Sequence, residues 1–134
     1  MLHRTMQSEI LVIVLPPPPR VLSPNSMIAS LGGRFKKAAA AKKYRRLAKE
    51  AILAEQIESA PWERATVQAA FYRKTKRRRD PDNDNASLKS AYDGIVDAGL
   101  IPDDDYDHLQ RLPPSTGIDR EYPRVVLTIT RVVQ

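Results

Sequence analysis

A mixed α/β (α+β) layer fold, a small β-sheet with two main helices packed on it, is what this 134-residue sequence predicts. Three observations lead there. Apolar, strand-like stretches stand near the start, the middle and the end of the chain. Two segments between them carry helical periodicity. Proline- and aspartate-rich punctuation separates the elements, giving the order strand, helix, strand, helix, strand, strand. The length corresponds to a single domain, 1–134, with a modest core and no internal repeat.

The elements follow in chain order. Residues 1–8 read as a loose start. "ILVIVL", ending at Leu15, is a buried strand from about Glu9; six apolar residues are too few to span a membrane. "PPPPRVLSPNS", Pro16 to Ser26, excludes regular structure, because proline fixes φ and lacks a donor. It reads as a rigid connector, or alternatively as a polyproline ligand for a partner domain. A helix is expected over about Phe35–Glu58, where Tyr44, Leu47, Ala48, Ala51 and Ile52 form an apolar stripe. Pro61 breaks it. Arg64–Arg73 reads as a second strand, its pattern suiting a sheet covered partly on both faces. A second helix is expected over about Asp84–Ala98, burying Leu88, Ala91, Tyr92 and Ile95, with Gly99 at the C′ position. Tyr106–Leu112 and Arg124–Val133 read as extended, joined by a turn-rich connection.

Charge is distributed unevenly. The net charge is +6, and 15 of 22 Lys and Arg residues lie between Arg34 and Arg79. Between Asp80 and Asp107 lie 9 of 16 acids, all aspartate. A basic balance of this kind favours a polyanionic partner such as nucleic acid. On the first helix Lys42, Arg45, Arg46 and Lys49 form a basic stripe about two turns long. It reads either as a phosphate-contacting surface or as a solubilising face. The absence of cysteine excludes disulfides, zinc–thiolate sites and thiol nucleophiles. No Gly-rich phosphate loop and no Ser-His-Asp arrangement is present. A soluble, cytoplasmic protein is the expectation.

The aspartates then require an explanation, because acids repel phosphate. Asp80, Asp82 and Asp84, with Asp103, Asp104 and Asp105, offer the carboxylate oxygens that hard cations such as Mg²⁺ take. The helix between the two groups is about 22 Å long at 1.5 Å per residue, so convergence requires the second loop to run back across it. Counting from Asp82, Lys89 is seven residues on and near the same azimuth of one continuous helix, from which its ammonium would approach the helix mouth. Structural roles compete. Asp80 followed by Pro81 fits an N-cap and N1 pair; Asp82 and Asp84 fit first-turn acids, and Asp84 in particular reads so; Lys89 and Asp93 fit an i,i+4 pair. A calcium EF-hand loop is excluded by Asn85 and Ala91, where glycine and a bidentate glutamate are needed. His108 could be a ligand or proton shuttle, although a lone loop histidine is more often simply exposed.

"RRRDPDN", "LKSAYDGIVDAG" and "DDD" together resemble the RusA family of Holliday junction resolvases, small phage- and prophage-associated endonucleases. The matching positions are Arg77, Arg78 and Arg79, Asp80, Asp82, Asn83, Lys89, Asp93, Gly99, Asp103 and Asp104. The spacing between Asp82 and Lys89 is the longer one, as in phage relatives. Weaker likeness lies in the opening strand and prolines, with Asn25, and in the closing "RVVLTITRV". The resemblance implies an Mg²⁺-dependent endonuclease, with Mn²⁺ as a substitute, that resolves branched DNA as a homodimer. It implies Asp80, Asp82 and Asp104 as metal-binding catalytic residues, Asp103 as a further ligand and Lys89 as a catalytic group at the scissile phosphate. Backbone contacts would come from Asn25, Lys42, Arg45, Arg46, Lys49, Lys76 and Arg77–Arg79. A non-catalytic DNA-binding protein with a structural cation or helix-capping aspartates is the alternative.

Overall fold

The computed structural model describes residues 9–23, 31–76 and 81–133. Asn25, Arg77, Arg78, Arg79 and Asp80 lie outside the described residues, as does the start over residues 1–8. The strands are β1 (Ile10–Leu15), β2 (Ala65–Arg73), β3 (Leu109–Arg111), β4 (Ser115–Ile118) and β5 (Arg124–Arg131). The helices are α1 (Leu31–Ala54), α2 (Pro81–Ala86) and α3 (Lys89–Asp97). The α+β class read from the sequence is therefore the class observed.

β5 lies between β1 and β2, antiparallel to both, with Ile13 opposite Leu127 and Ala69 opposite the same residue on the other side. β3 and β4 both pair parallel with β2, β3 along its first half and β4 along its second. Pro113 and Pro114 separate them, because neither has an N–H to give the ladder. Side-chain and flanking groups fill the gap: the Leu112 amide donates to the Val67 carbonyl at 2.8 Å and Gln68 Nε2 to the Pro113 carbonyl at 3.1 Å.

Period-2 alternation decides which face of this sheet is covered. Leu11, Ile13 and Leu15, Ala65, Val67, Ala69 and Phe71, Leu109, and Val125, Leu127 and Ile129 are all buried in one core. Their neighbours on the other face are half-buried or exposed, with Ile10, Val12 and Val14 between 45% and 64% exposed. Burial along β2 alternates more regularly than expected, yet on its other face Thr66, Ala70 and Tyr72 are half-buried and only Gln68 is exposed, so the strand is covered partly on both faces, as expected.

α1 buries Tyr44, Ala48 and Ile52, the centre of the expected stripe, with Leu47 and Ala51 half-buried beside them. The Tyr44 hydroxyl donates to the Pro16 carbonyl at 2.7 Å, tying the helix to the proline segment. Within that segment Arg20–Leu22 forms a short 3-10 turn that buries Leu22. α1 starts earlier than expected and stops at Ala54, four residues before Glu58. Gln56 turns the chain through a left-handed conformation at φ 50°, and Trp62 then enters the core.

The second expected helix is two helices. Ser87 Oγ donates to the Asp84 carbonyl at 2.7 Å, and the segment carrying the weak helix formers Asn83, Asp84, Asn85 and Ser87 gives way to a turn before α3 starts at Lys89. Leu88, Ala91, Tyr92 and Ile95 are buried as expected. Gly99 closes α3 at φ 82°. Its amide donates to Val96 at 2.9 Å and the Leu100 amide to Ile95 at 3.3 Å, the two bonds of a Schellman motif. No helix among the described residues is long and apolar enough to cross a membrane.

Candidate active site

The Schellman turn reverses the chain, and the loop after it runs back along α3. Lys89, at the head of α3, donates to Asp104 Oδ2 at 2.5 Å and to Asp93 Oδ1 at 2.8 Å. The acidic loop therefore does run back to the head of α3, where Asp104 meets Lys89, but among the described residues it forms no three-carboxylate metal group with the Asp82 and Asp84 segment. The i,i+4 pair with Asp93 is made as well, as the structural reading of Lys89 expected. The azimuth argument from Asp82 does not apply, because the break at Ser87 and Leu88 separates the two residues onto different helices.

The three loop aspartates divide their work. Asp103 Oδ1 accepts the Asp104 amide at 2.7 Å, which orients the loop. Asp105 Oδ1 accepts the His108 amide at 3.1 Å and faces His108 Nδ1 at 2.6 Å, so it closes the turn into β3. Asp104 alone turns to Lys89, and its side chain is only 14% exposed. Burial works against its charge, but the Lys89 hydrogen bond and ammonium outweigh it and, with Arg111, hold the Asp104 carboxyl below its ordinary 3.8. Burial likewise opposes the charge on Lys89, and its bonds to Asp104 and Asp93 raise its pKa above 10.5.

Two residues of this region were not singled out from the sequence. Arg111 Nη2 reaches Asp104 Oδ2 at 3.4 Å, with its guanidinium over the Tyr92 ring, 4.7 Å from the centroid. The Tyr92 hydroxyl donates to Asn85 Oδ1 at 3.1 Å, which links α3 to α2. Arg73 Nη2 donates to Asp84 Oδ1 at 2.7 Å, and both side chains are largely buried. Asp84 does lie in the first turn of α2, as expected, but it is an ion-paired anchor between α2 and the end of β2. The signal for both arginines was the strand alternation: Arg73 follows Phe71 by two and Arg111 follows Leu109 by two, so each stands on the covered face.

Asp82 lies exposed in the first turn of α2. The described residues assemble no group of three His, Asp or Glu side chains able to hold a metal ion. Lys42, Arg46 and Lys49 are exposed along α1, and Lys76 is exposed beyond β2. Arg45 is exposed too but engaged, since its guanidinium pairs with both oxygens of Asp97. That hydrogen bond raises the Arg45 pKa, and the charges of Asp93 and Asp104 add to it. The basic stripe and the acidic site are thus electrostatic neighbours across the α1–α3 contact.

His108 supplies a local test. Its hydrogen bond to Asp105 holds its pKa above the ordinary 6.5, helped by the charges of Asp105, Glu63 and Asp103. An NMR titration should find that elevation, and Asp105→Asn should bring the value back toward 6.5. Because the folded-state pKa is raised, the pair stabilises fully below 6.5, and that contribution is lost as pH rises through the folded value. Asp105→Asn should therefore remove a slight acid-side gain in thermal stability.

Compared with known proteins, the chain matches no family model and no curated protein.

Proposed function

We propose that this protein is an Mg²⁺-dependent endonuclease that resolves branched DNA such as a Holliday junction, acting as a homodimer in the RusA manner. The observation that carries this reading is the hydrogen-bonded group Lys89–Asp104–Arg111 at the head of α3. An ionised, mostly enclosed carboxylate flanked by two cations suits a site that must hold a divalent cation and a phosphate together.

The donor chemistry fits such an ion, although the described residues do not gather three such side chains into one group. Asp82, Asp103 and Asp104 offer hard carboxylate oxygens and no cysteine thiolate competes. Mg²⁺ keeps several waters and is commonly held by one or two carboxylates plus substrate phosphate, so Asp104 and Asp82, joined by Asp80 and Asp103, are the proposed ligands. When bound, the ion would supply Lewis-acid stabilisation of the phosphoryl oxygens and a more acidic water. Lys89 would hold a non-bridging oxygen of the scissile phosphate, its ammonium kept protonated by Asp93. Lys42, Arg46, Lys49, Lys76 and Arg77–Arg79, with Asn25, would grip the backbone on either side. The affinity should then fall steeply with salt.

The test is cleavage of a synthetic four-way junction with Mg²⁺, comparing wild type with Asp82→Asn. Symmetric nicking by wild type, with junction binding retained and cleavage lost in Asp82→Asn, is the expected result. Equal cleavage by both would remove Asp82 from the catalytic set. One observation favours a second reading: Asp84 and Lys89 already have structural partners in Arg73 and Asp93. On that reading the chain is a non-catalytic DNA-binding protein, and the wild type binds the junction without nicking it at any Mg²⁺ or Mn²⁺ concentration.

A further inference from the structure

Arg111 differs from the arginines of the described residues that close an ion pair of their own. Arg45 closes a bidentate pair with Asp97; Arg124 reaches Asp119 at 2.8 Å and Arg131 reaches Glu9 at 2.9 Å. Arg111 has no carboxylate of its own. Its one hydrogen bond among the described residues is the 3.4 Å contact to Asp104, an oxygen that Lys89 already holds more closely. A guanidinium carries five donors, and most of those of Arg111 are left over. Its position is nonetheless fixed. It rises from the covered face of β3 and lies over Tyr92, itself fully buried. Its side chain is 28% exposed, so an edge of the group remains reachable.

Such an arrangement is suited to an oxyanion that presents two acceptor oxygens side by side. Stacking on the ring immobilises the guanidinium before any ligand arrives, so little side-chain entropy remains to be lost on binding. Its free donors match the paired non-bridging oxygens of a phosphodiester. A divalent cation on Asp104 would also draw that carboxylate's charge away from both Lys89 and Arg111, leaving the two cations for the substrate. We propose that Arg111 is a phosphate-binding residue of this site, donating to the DNA backbone beside Asp104. This inference rests on the nuclease reading above and adds to it a residue on a different element.

The rival role is purely positional, with Arg111 acting only through Asp104. A double-mutant cycle separates the two. Junction affinity would be measured with Ca²⁺ replacing Mg²⁺, across a range of salt, for wild type, Arg111→Gln, Asp104→Asn and the double variant. Arg111→Gln should weaken binding about tenfold and reduce the slope of log affinity against log salt by about 0.9. The same loss should persist in the Asp104→Asn background, and Arg111→Lys should restore part of the affinity. Circular dichroism of each variant confirms that folded protein is compared. A loss that vanishes when Asp104 is already Asn overturns the proposal, as does an unchanged affinity and slope in a protein whose wild type cuts the junction. A wild type that neither binds nor cuts overturns the nuclease reading itself, and this inference with it.

Discussion

Gly94→Val should leave the chain without a cooperative thermal transition, and Gly94→Ala should lower the melting temperature by several degrees. Gly94 faces α1 from the middle of α3. A Cβ placed there would lie 2.2 Å from the Arg45 carbonyl oxygen and 3.0 Å from the Ala48 Cβ. The first neighbour is helix backbone, which cannot rotate away as a side chain can. The two helices must separate, and the contact they lose includes fully buried Ala48 and Ala91. Overpacking of this kind costs about 1–3 kcal/mol, and replacing a helical glycine by alanine returns about 1 kcal/mol in propensity. For alanine the net is therefore about 2 kcal/mol at most, or roughly 6–10 °C at this chain length. Valine brings two further methyl groups into the same space, and with a total stability of about 5–15 kcal/mol the loss is expected to be global. Differential scanning calorimetry of both variants checks this; an unaltered melting curve for Gly94→Val would disprove the close approach.

The close approach also has a functional consequence. It sets the separation between the basic stripe of α1 and the acidic face of α3, where Arg45 meets Asp97 and feels Asp93 and Asp104. On the proposed reading, Gly94→Ala should accordingly weaken junction binding even where it still folds.

What could be read in the sequence was whatever repeats with a period. The burial of Leu88, Ala91, Tyr92 and Ile95 follows from helical spacing, and Gly99 follows from the need for a positive φ after the last turn. The strand β4 did not announce itself, because Ser115–Ile118 has neither alternation nor branched apolar residues on both faces. It forms because the second half of β2 would otherwise leave its edge amides and carbonyls unpaired. The break between α2 and α3 depends on a single serine hydroxyl bonding a carbonyl, a local competition that periodicity averages over. Within the candidate site, the i,i+4 pairing of Lys89 with Asp93 was legible, and so was the need for the acidic loop to run back if it was to meet the helix. Which of three adjacent aspartates would meet it was not, since that depends on the turn that Asp105 and His108 close. Arg73 and Arg111 were visible as charges but not as site residues. Their alternation places them on the covered face only once it is known which face the helices cover.

On the nuclease reading proposed above, with Asp104 a direct ligand of the ion, Asp104→Asn is expected to abolish cleavage while leaving the fold nearly intact. Asparagine keeps the shape and one acceptor oxygen, so the loop still turns on Asp103 and Asp105. Lys89 keeps Asp93 at 2.8 Å, and Arg111 keeps its seat on Tyr92. The ion pair lost is formed by a lysine that is 61% exposed, and such pairs contribute about 1 kcal/mol or less. The catalytic loss should be far larger. Even outer partners of a metal ligand are typically worth 10- to 100-fold in activity, so neutralising a direct ligand should cost at least about 100-fold. The pH dependence separates the two effects further. With its carboxyl held below 3.8, Asp104 stabilises the native state above that value, and the contribution is lost as pH falls through the lower folded-state value. Asp104→Asn should therefore match wild type most closely in acid and show its small deficit at neutral pH. Calorimetry from pH 2 to 7, beside junction cleavage under single-turnover conditions, reads both. A variant that cuts as fast as wild type would remove Asp104 from the chemistry and leave Lys89, Asp93 and Asp104 as a helix-head ion cluster that only orders the loop.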